Sequence, residues 1–228
     1  MSKQRPTEGL LSPGDADYDK KMSAMWGGPM PMFFDEAVAT WSAQHSPAKG
    51  SVALVTGATG GIGFYVAKLY AMLGFDVIVP TRTGFEAEAV DAVRGIKAAA
   101  PDANIMVPPI ELDLNSLASV RRFADCIRSQ YQKIDVLALN AGRGGAKGDP
   151  RDVTGEGLEA IMTVNALSHA VLALELLPLV ANSPAGRIVS QSSGARLSAN
   201  QGKLKDLCGT DAENCECALS QRHPCFPS

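Results

Sequence analysis

The sequence predicts an α/β fold of the doubly wound kind, a parallel sheet with helices on both faces. Three observations carry this. Short apolar runs alternate with longer amphipathic segments from Ser51 onward, the runs stay apolar instead of alternating with polar residues, and a glycine-rich turn, TGATGGIG at 56–63, joins the first run to the first helical segment. Continuous apolar runs read as strands buried on both faces, and strands separated by helical crossovers pair in parallel. Such a sheet offers its ligand sites at the carboxyl ends of its strands.

Taken in order, strands are expected at 52–55, 76–80, 104–108, 134–139 and 186–191, with helices near 61–73, 86–100, 115–131 and 154–182. In the first helix Ile62, Val66, Leu69 and Leu73 fall on one face, and Gly74 stops it. The third helix has the clearest period, through Leu117, Val120, Ala124, Ile127 and Tyr131, with Asn115 or Asp113 as candidate caps. Residues 1–50 lack sustained periodicity and read as a partly disordered N-terminal extension, 51–200 as one nucleotide-binding domain, and 201–228 as an irregular Cys-rich tail. Within the extension, FFDEAVATWSAQ sets Phe34, Ala37, Val38 and Trp41 at helical spacing. That stripe predicts a short helix docked on the main domain, with peripheral membrane contact through residues 33–44 as the other reading.

Composition excludes several classes. The 228 residues are 46% hydrophobic and 20% charged with a formal net charge of -3, which argues for a full globular core and against a nucleic-acid partner. No apolar run approaches the roughly 20 residues of a membrane span; the most apolar, Val171 to Val180, is interrupted by Glu175 and Pro178. The acidic, poorly apolar start resembles neither a secretory signal nor a transit peptide, so an intracellular, soluble protein is expected, cytoplasmic by default. The five cysteines do not suggest a disulfide framework. Cys208, Cys215, Cys217 and Cys225 lack the paired spacing of a zinc knuckle, and no metal site is expected.

Gly57, Gly61 and Gly63 stand between strand and helix, where backbone without β-carbons lets N–H groups and a helix N-terminus approach a pyrophosphate. At the end of the second strand, where an acid would bond an adenosine ribose, the chain carries Thr81-Arg82. An arginine there pairs with a 2′-phosphate that a carboxylate would repel, so NADP(H) is favoured over NAD(H).

Four motifs follow one another on this scaffold: TGATGGIG, ELDLNS, LALNAG and RIVSQSSG, with TVNALSHAVLALELLPLV between the last two. Together they resemble the short-chain dehydrogenase/reductase family over about residues 51–200, which implies a Rossmann fold and hydride transfer between NADP(H) and a small-molecule alcohol or carbonyl substrate. The stretches VIVPTR, DLNSLASVRRF and RIVSQSSGARL look most like the retinol dehydrogenase and protochlorophyllide reductase branch. By this resemblance Gly57, Gly61 and Gly63 hold the pyrophosphate, with Thr56, Thr59 and Ile62 completing the turn. Arg82 meets the 2′-phosphate, Asp113 beside Leu114 bonds the adenine amino group, and Asn140, Ala141 and Gly142 lie along the cofactor ribose. Asn165 anchors a proton-relay water, and Ser193 orients the substrate carbonyl.

The resemblance fails at the proton donor. The family uses a tyrosine tuned by a lysine in Tyr-x-x-x-Lys, but Tyr18, Tyr65, Tyr70 and Tyr131 all precede Ser193, and the position 13 residues after that serine is Asp206. Lys203, Lys205 and His223 offer no equivalent. The family's sixth and seventh strands are also not found, so the fold is expected to be incomplete at the C-terminus and the chain inactive as written. The alternative is a non-catalytic NADP(H)-binding protein.

Overall fold

A computed structural model of the protein describes residues 48–144 and 152–192, together with the isolated Lys20 and Thr40. Among the described residues, β1 (Val52–Val55), β2 (Asp76–Ile78), β3 (Ile105–Met106), β4 (Val136–Leu139) and β5 (Arg187–Ser190) form one sheet in the order β3-β2-β1-β4-β5. Every pairing is parallel, and Leu54 sits in register between Ile78 and Leu137. The chain winds outward from β1 in one direction and then the other, which is the doubly wound order expected from the alternating pattern.

Helices α1 (Gly61–Met72) and α2 (Glu86–Ala99) form one layer. The other layer holds α3 (Leu117–Gln130) and a long helix made of α4 (Ala160–Met162), a π-helical turn (Thr163–Leu167) and α5 (Ser168–Ala181). Alternate residues of β1 serve the two layers. Leu54 packs with Ile78, Phe123, Leu137, Leu172 and Leu176, while Ala53 and Val55 pack with Phe64, Ala67, Val77 and Ile96. That division of one strand between two cores is why its sequence, VALV, shows no polar alternation.

Several local expectations need correction. The first helix buries Gly63, Phe64, Tyr65, Ala67 and Ala71, not the face of Ile62, Val66, Leu69 and Leu73. α1 is apolar almost all round, so periodicity cannot select its buried face; the small residues Gly63, Ala67 and Ala71 let the backbone approach the sheet. Neither Asn115 nor Asp113 caps α3: Ser116 does, accepting from the Ser119 N–H, while Asp113 accepts from Asn115. The fourth helix starts at Ala160 and not at 154, because Thr154–Gly157 turns and the Glu159 carboxylate caps Ile161 and Met162. The third strand shrinks to Ile105–Met106 ahead of Pro108 and Pro109, which have no N–H to donate to a ladder.

Two larger differences concern the far side of the sheet. β5 is exposed along its whole length, contrary to the expectation of strands buried on both faces. Residues 160–181 also form a 22-residue helical span apolar enough to cross a membrane by length and composition, where the sequence offered only the interrupted run from Val171. In the fold, Leu172, Leu176, Leu179 and Val180 of this span are buried in the core, and Glu175 pairs with Arg128 at 2.7 Å. The stripe at 33–44 apart from Thr40, the rest of the extension apart from Lys20 and residues 48–50, Ser193 and the 201–228 tail lie outside the described residues.

Candidate cofactor site

The glycine turn is built by close packing. A β-carbon on Gly63 would stand 2.2 Å from the Gly57 carbonyl oxygen and 2.5 Å from the Asn140 side-chain nitrogen. One on Gly57 would meet the Ala141 Cα at 3.0 Å. Gly57 and Gly61 hold φ of 68° and 54°, in the left-handed region where a side chain is strained. Only glycine fits this junction of β1, α1 and the loop after β4. Among the described residues, the position a β-carbon would take on Gly61 has no atom within 4 Å.

The helix starts differ in how they are closed. At α3, Ser116 caps Ser119 while the Glu156 carboxylate accepts from the N–H groups of Leu117 and Ala118 and from the Ser116 hydroxyl. Burial alone would raise the Glu156 carboxyl, but these bonds and Arg121 hold it below its ordinary value. Glu159 closes α4 similarly. At α1 the N-cap is Gly60, which has no side chain to cap the first turn. The positive end of α1 lies at the glycine turn, a setting suited to an anion.

Thr56, at the end of β1, joins the turn to the loop after β4. Its hydroxyl oxygen accepts from the Asn140 and Ala141 N–H groups, both at 2.9 Å, and lies 3.0 Å from His169 Nε2. The Asn140 amide returns a bond to the Thr56 carbonyl at 3.1 Å. Asn165, on the π turn, clamps the next residue along: its side chain accepts from the Arg143 N–H at 2.8 Å and donates to the Arg143 carbonyl at 2.9 Å. Arg143 in turn reaches Asp152 at 2.8 Å and Asn115 at 3.4 Å. The Ser168 hydroxyl donates to the Leu114 carbonyl. Loops after β1, β3 and β4 are thus tied to one helix.

After β2, Arg82 is exposed and its guanidinium carbon stands 4.0 Å over the Phe85 ring. Among the described residues it has no carboxylate partner. The nearby carboxylate of Glu111 is occupied, accepting from the Thr83 hydroxyl at 2.6 Å and its N–H at 3.1 Å, which holds it below its ordinary value.

Of the expected site residues, the Thr56–Gly63 turn follows β1, Arg82 follows β2, Asp113 and Leu114 follow β3, and Asn140, Ala141 and Gly142 follow β4. Thr59 and Ile62 lie on the turn, half-buried, and Gly142 packs against Asn165. The Leu114 side chain is buried in the core, leaving its backbone toward the loop, and the Asn140 amide is engaged by Thr56. Ser193 follows β5 but lies outside the described residues; its neighbour Ser192 is exposed. Sequence reasoning passed over His169, Arg143 and Glu156. His169 was findable as the residue one turn after Asn165, and Arg143 as the residue directly after Asn-Ala-Gly; Glu156 had no local signal, since it acts across 38 to 40 residues.

A family model described as short chain dehydrogenase matches residues 51–203. Among curated relatives, a WW domain-containing oxidoreductase of Drosophila melanogaster is 39% identical over 127 residues, 56% of this chain and 30% of that protein. A polyprenol dehydrogenase of Mus musculus is 39% identical over 139 residues, 61% of this chain and 39% of that one. This chain thus aligns with about a third of the length of these relatives. A solved Pseudomonas aeruginosa RhlG/NADP active-site complex superposes with a TM-score of 0.55 at 31% identity, covering 68% of this chain and 60% of that chain. With its glycine turn, its Asn-Ala-Gly loop and its Asn165 helix placed on a doubly wound sheet, the chain belongs to the short chain dehydrogenase family.

Proposed function

We propose that the chain binds NADP(H) across the carboxyl ends of β1, β2 and β4, as the cofactor half of an oxidoreductase acting on a small-molecule alcohol or ketone. The observation that carries the reading is the glycine turn at the start of α1, where β-carbons added at Gly57 and Gly63 would press on backbone. Gly57, Gly61 and Gly63 would take the pyrophosphate. Arg82, steadied on Phe85, would take the 2′-phosphate, and Asp113 would offer the adenine amino group the carboxylate oxygen that Asn115 leaves unused. When bound, the nicotinamide supplies a hydride. Asn165 holds the loop after β4, and Ser193 would orient the substrate oxygen.

Substrate turnover by these 228 residues is proposed to be very low, because no tyrosine follows Ser193. Loss of a positioned acid–base group lowers rates by about 10² to 10⁴. The second reading, a non-catalytic NADP(H)-binding protein, draws on the same gap. We favour the retinol dehydrogenase and protochlorophyllide reductase branch on the stretches VIVPTR and DLNSLASVRRF, and a division of the chain at residues 50 and 200. The test is NADPH binding by the purified chain beside its Arg82→Ala variant. Losing a charge-assisted contact to phosphate lowers NADPH affinity about 10-fold and leaves NADH unchanged. Equal loss for both cofactors would remove Arg82 from the 2′-phosphate role. NADPH oxidation at a rate ordinary for an enzyme, with a ketone present, would refute the low-turnover reading.

A further inference from the structure

The Thr56 hydroxyl stands at a crossing of four polar groups. The N–H groups of Asn140 and Ala141 both donate to its oxygen at 2.9 Å. A hydroxyl oxygen has two acceptor positions and one proton, so these two bonds fill its lone pairs. Its own proton then has two destinations, the Ala138 carbonyl at 3.4 Å or His169 Nε2 at 3.0 Å. The Ala138 carbonyl already accepts the Thr56 N–H at 2.9 Å. Were Nε2 to carry a proton, three donors would converge on an oxygen with room for two, and the hydroxyl would be left with the longer contact. His169 Nε2 must therefore be bare, and the ring proton lies on Nδ1, turned toward the Asn165 carbonyl at 3.5 Å.

We propose that His169 is a positioning residue for the cofactor cradle: a neutral, Nδ1-protonated imidazole whose Nε2 accepts the Thr56 hydroxyl proton and so fixes that oxygen as the acceptor for the Asn140–Ala141 loop. The proposal rests on the reading of the glycine turn as an NADP(H) cradle. His169 and Thr56 are both buried, so solvent does not readily replace either partner. The arrangement holds the loop after β4 against Gly57 and Gly63, where an Asn140 displaced by a fraction of an ångström would narrow the turn. His169 touches no reacting atom, and its effect passes through Thr56.

Three histidines are present, His45, His169 and His223. Imidazole nitrogen NMR on the full chain carrying His45→Gln and His223→Gln reads His169 alone. The expected result is a pyridine-type Nε2 and a pyrrole-type Nδ1, with no titration near pH 6.5, the ordinary value for histidine. An Nε2-protonated ring, or ordinary titration, overturns the proposal whether or not cofactor binds. The functional arm compares His169→Leu with His169→Gln, whose amide oxygen can accept from Thr56. Loss of one buried hydrogen bond predicts NADPH binding weakened about 10-fold in the leucine variant and largely restored in the glutamine variant. Equal weakening in both variants would make His169 a packing residue only. Failure of the unsubstituted chain to bind NADPH would instead overturn the cradle reading and leave the NMR result to decide the role of His169 toward Thr56.

Discussion

β1 and β5 are both four-residue parallel strands, VALV and RIVS, yet every residue of β1 is buried and every residue of β5 is exposed. Their surroundings account for the contrast. β1 lies between β2 and β4 with helices over both faces, whereas β5 is the outer strand among the described residues, with Ile188 and Val189 41% and 47% exposed. On the same side, Leu174 and Leu177 of α5 also face outward. The glycine turn and the Asn140–Gly142 loop, expected to hold the cofactor, follow the enclosed strands β1 and β4, where backbone position is fixed by packing. Ser192, beside the residue expected to meet substrate, follows the exposed one. The loops expected to hold the cofactor therefore follow enclosed strands, and the residue expected to meet substrate follows an exposed one.

Substitutions should separate the two regions. Leu137→Ala, removing a fully buried side chain of β4, should lower the unfolding free energy by about 2–5 kcal/mol in chemical denaturation. Gly63→Ala forces a β-carbon against the Gly57 carbonyl and should lower stability by about 1–3 kcal/mol while abolishing NADPH binding, measured by thermal melting and titration on the same sample. At the other extreme, Val189→Ala on β5 should change stability by less than about 1 kcal/mol, because much of its side chain is already in water. A loss at Val189 equal to that at Leu137 would show that β5 is covered in solution and would erase the contrast.

Acid sharpens it further. Burial holds the His169 imidazole below its ordinary value, partly offset by the Asn165 carbonyl. A folded-state value below the unfolded one means that stability is complete above about pH 6.5 and declines below it, by at most about 1.4 kcal/mol per pH unit until the folded value is reached. The limb should vanish in His169→Gln. Asp135 acts at lower pH. Burial opposes its charge, but the Ser183 hydroxyl, the Val52 N–H and Lys133 outweigh this and hold the carboxyl below its ordinary value. Its contribution is complete above the ordinary carboxylate range and is lost as pH falls through the folded value.

The sheet was legible because buried parallel strands carry an unbroken apolar signal, and the glycine turn because its residues are local in sequence. What escaped was set by long-range packing. The buried face of α1 depends on which side is small enough to approach the sheet, and a helix apolar all round does not declare that. The start of α4 depends on a turn at Thr154–Gly157, and the closure of α3 on Glu156 about 40 residues away. The exposure of β5 is invisible in RIVS, since an edge strand and a central one have the same period. His169 looked like part of an apolar helix until Thr56, 113 residues earlier, was placed against it.

The central claim is that the glycine turn and Arg82 together make an NADP(H) site in these 228 residues. Calorimetric titration of the purified chain with NADPH and, separately, with NADH addresses it most directly. One site per chain is expected, with NADPH bound about 10-fold more tightly than NADH. Tighter NADH, or no heat with either cofactor from a folded sample, would contradict it.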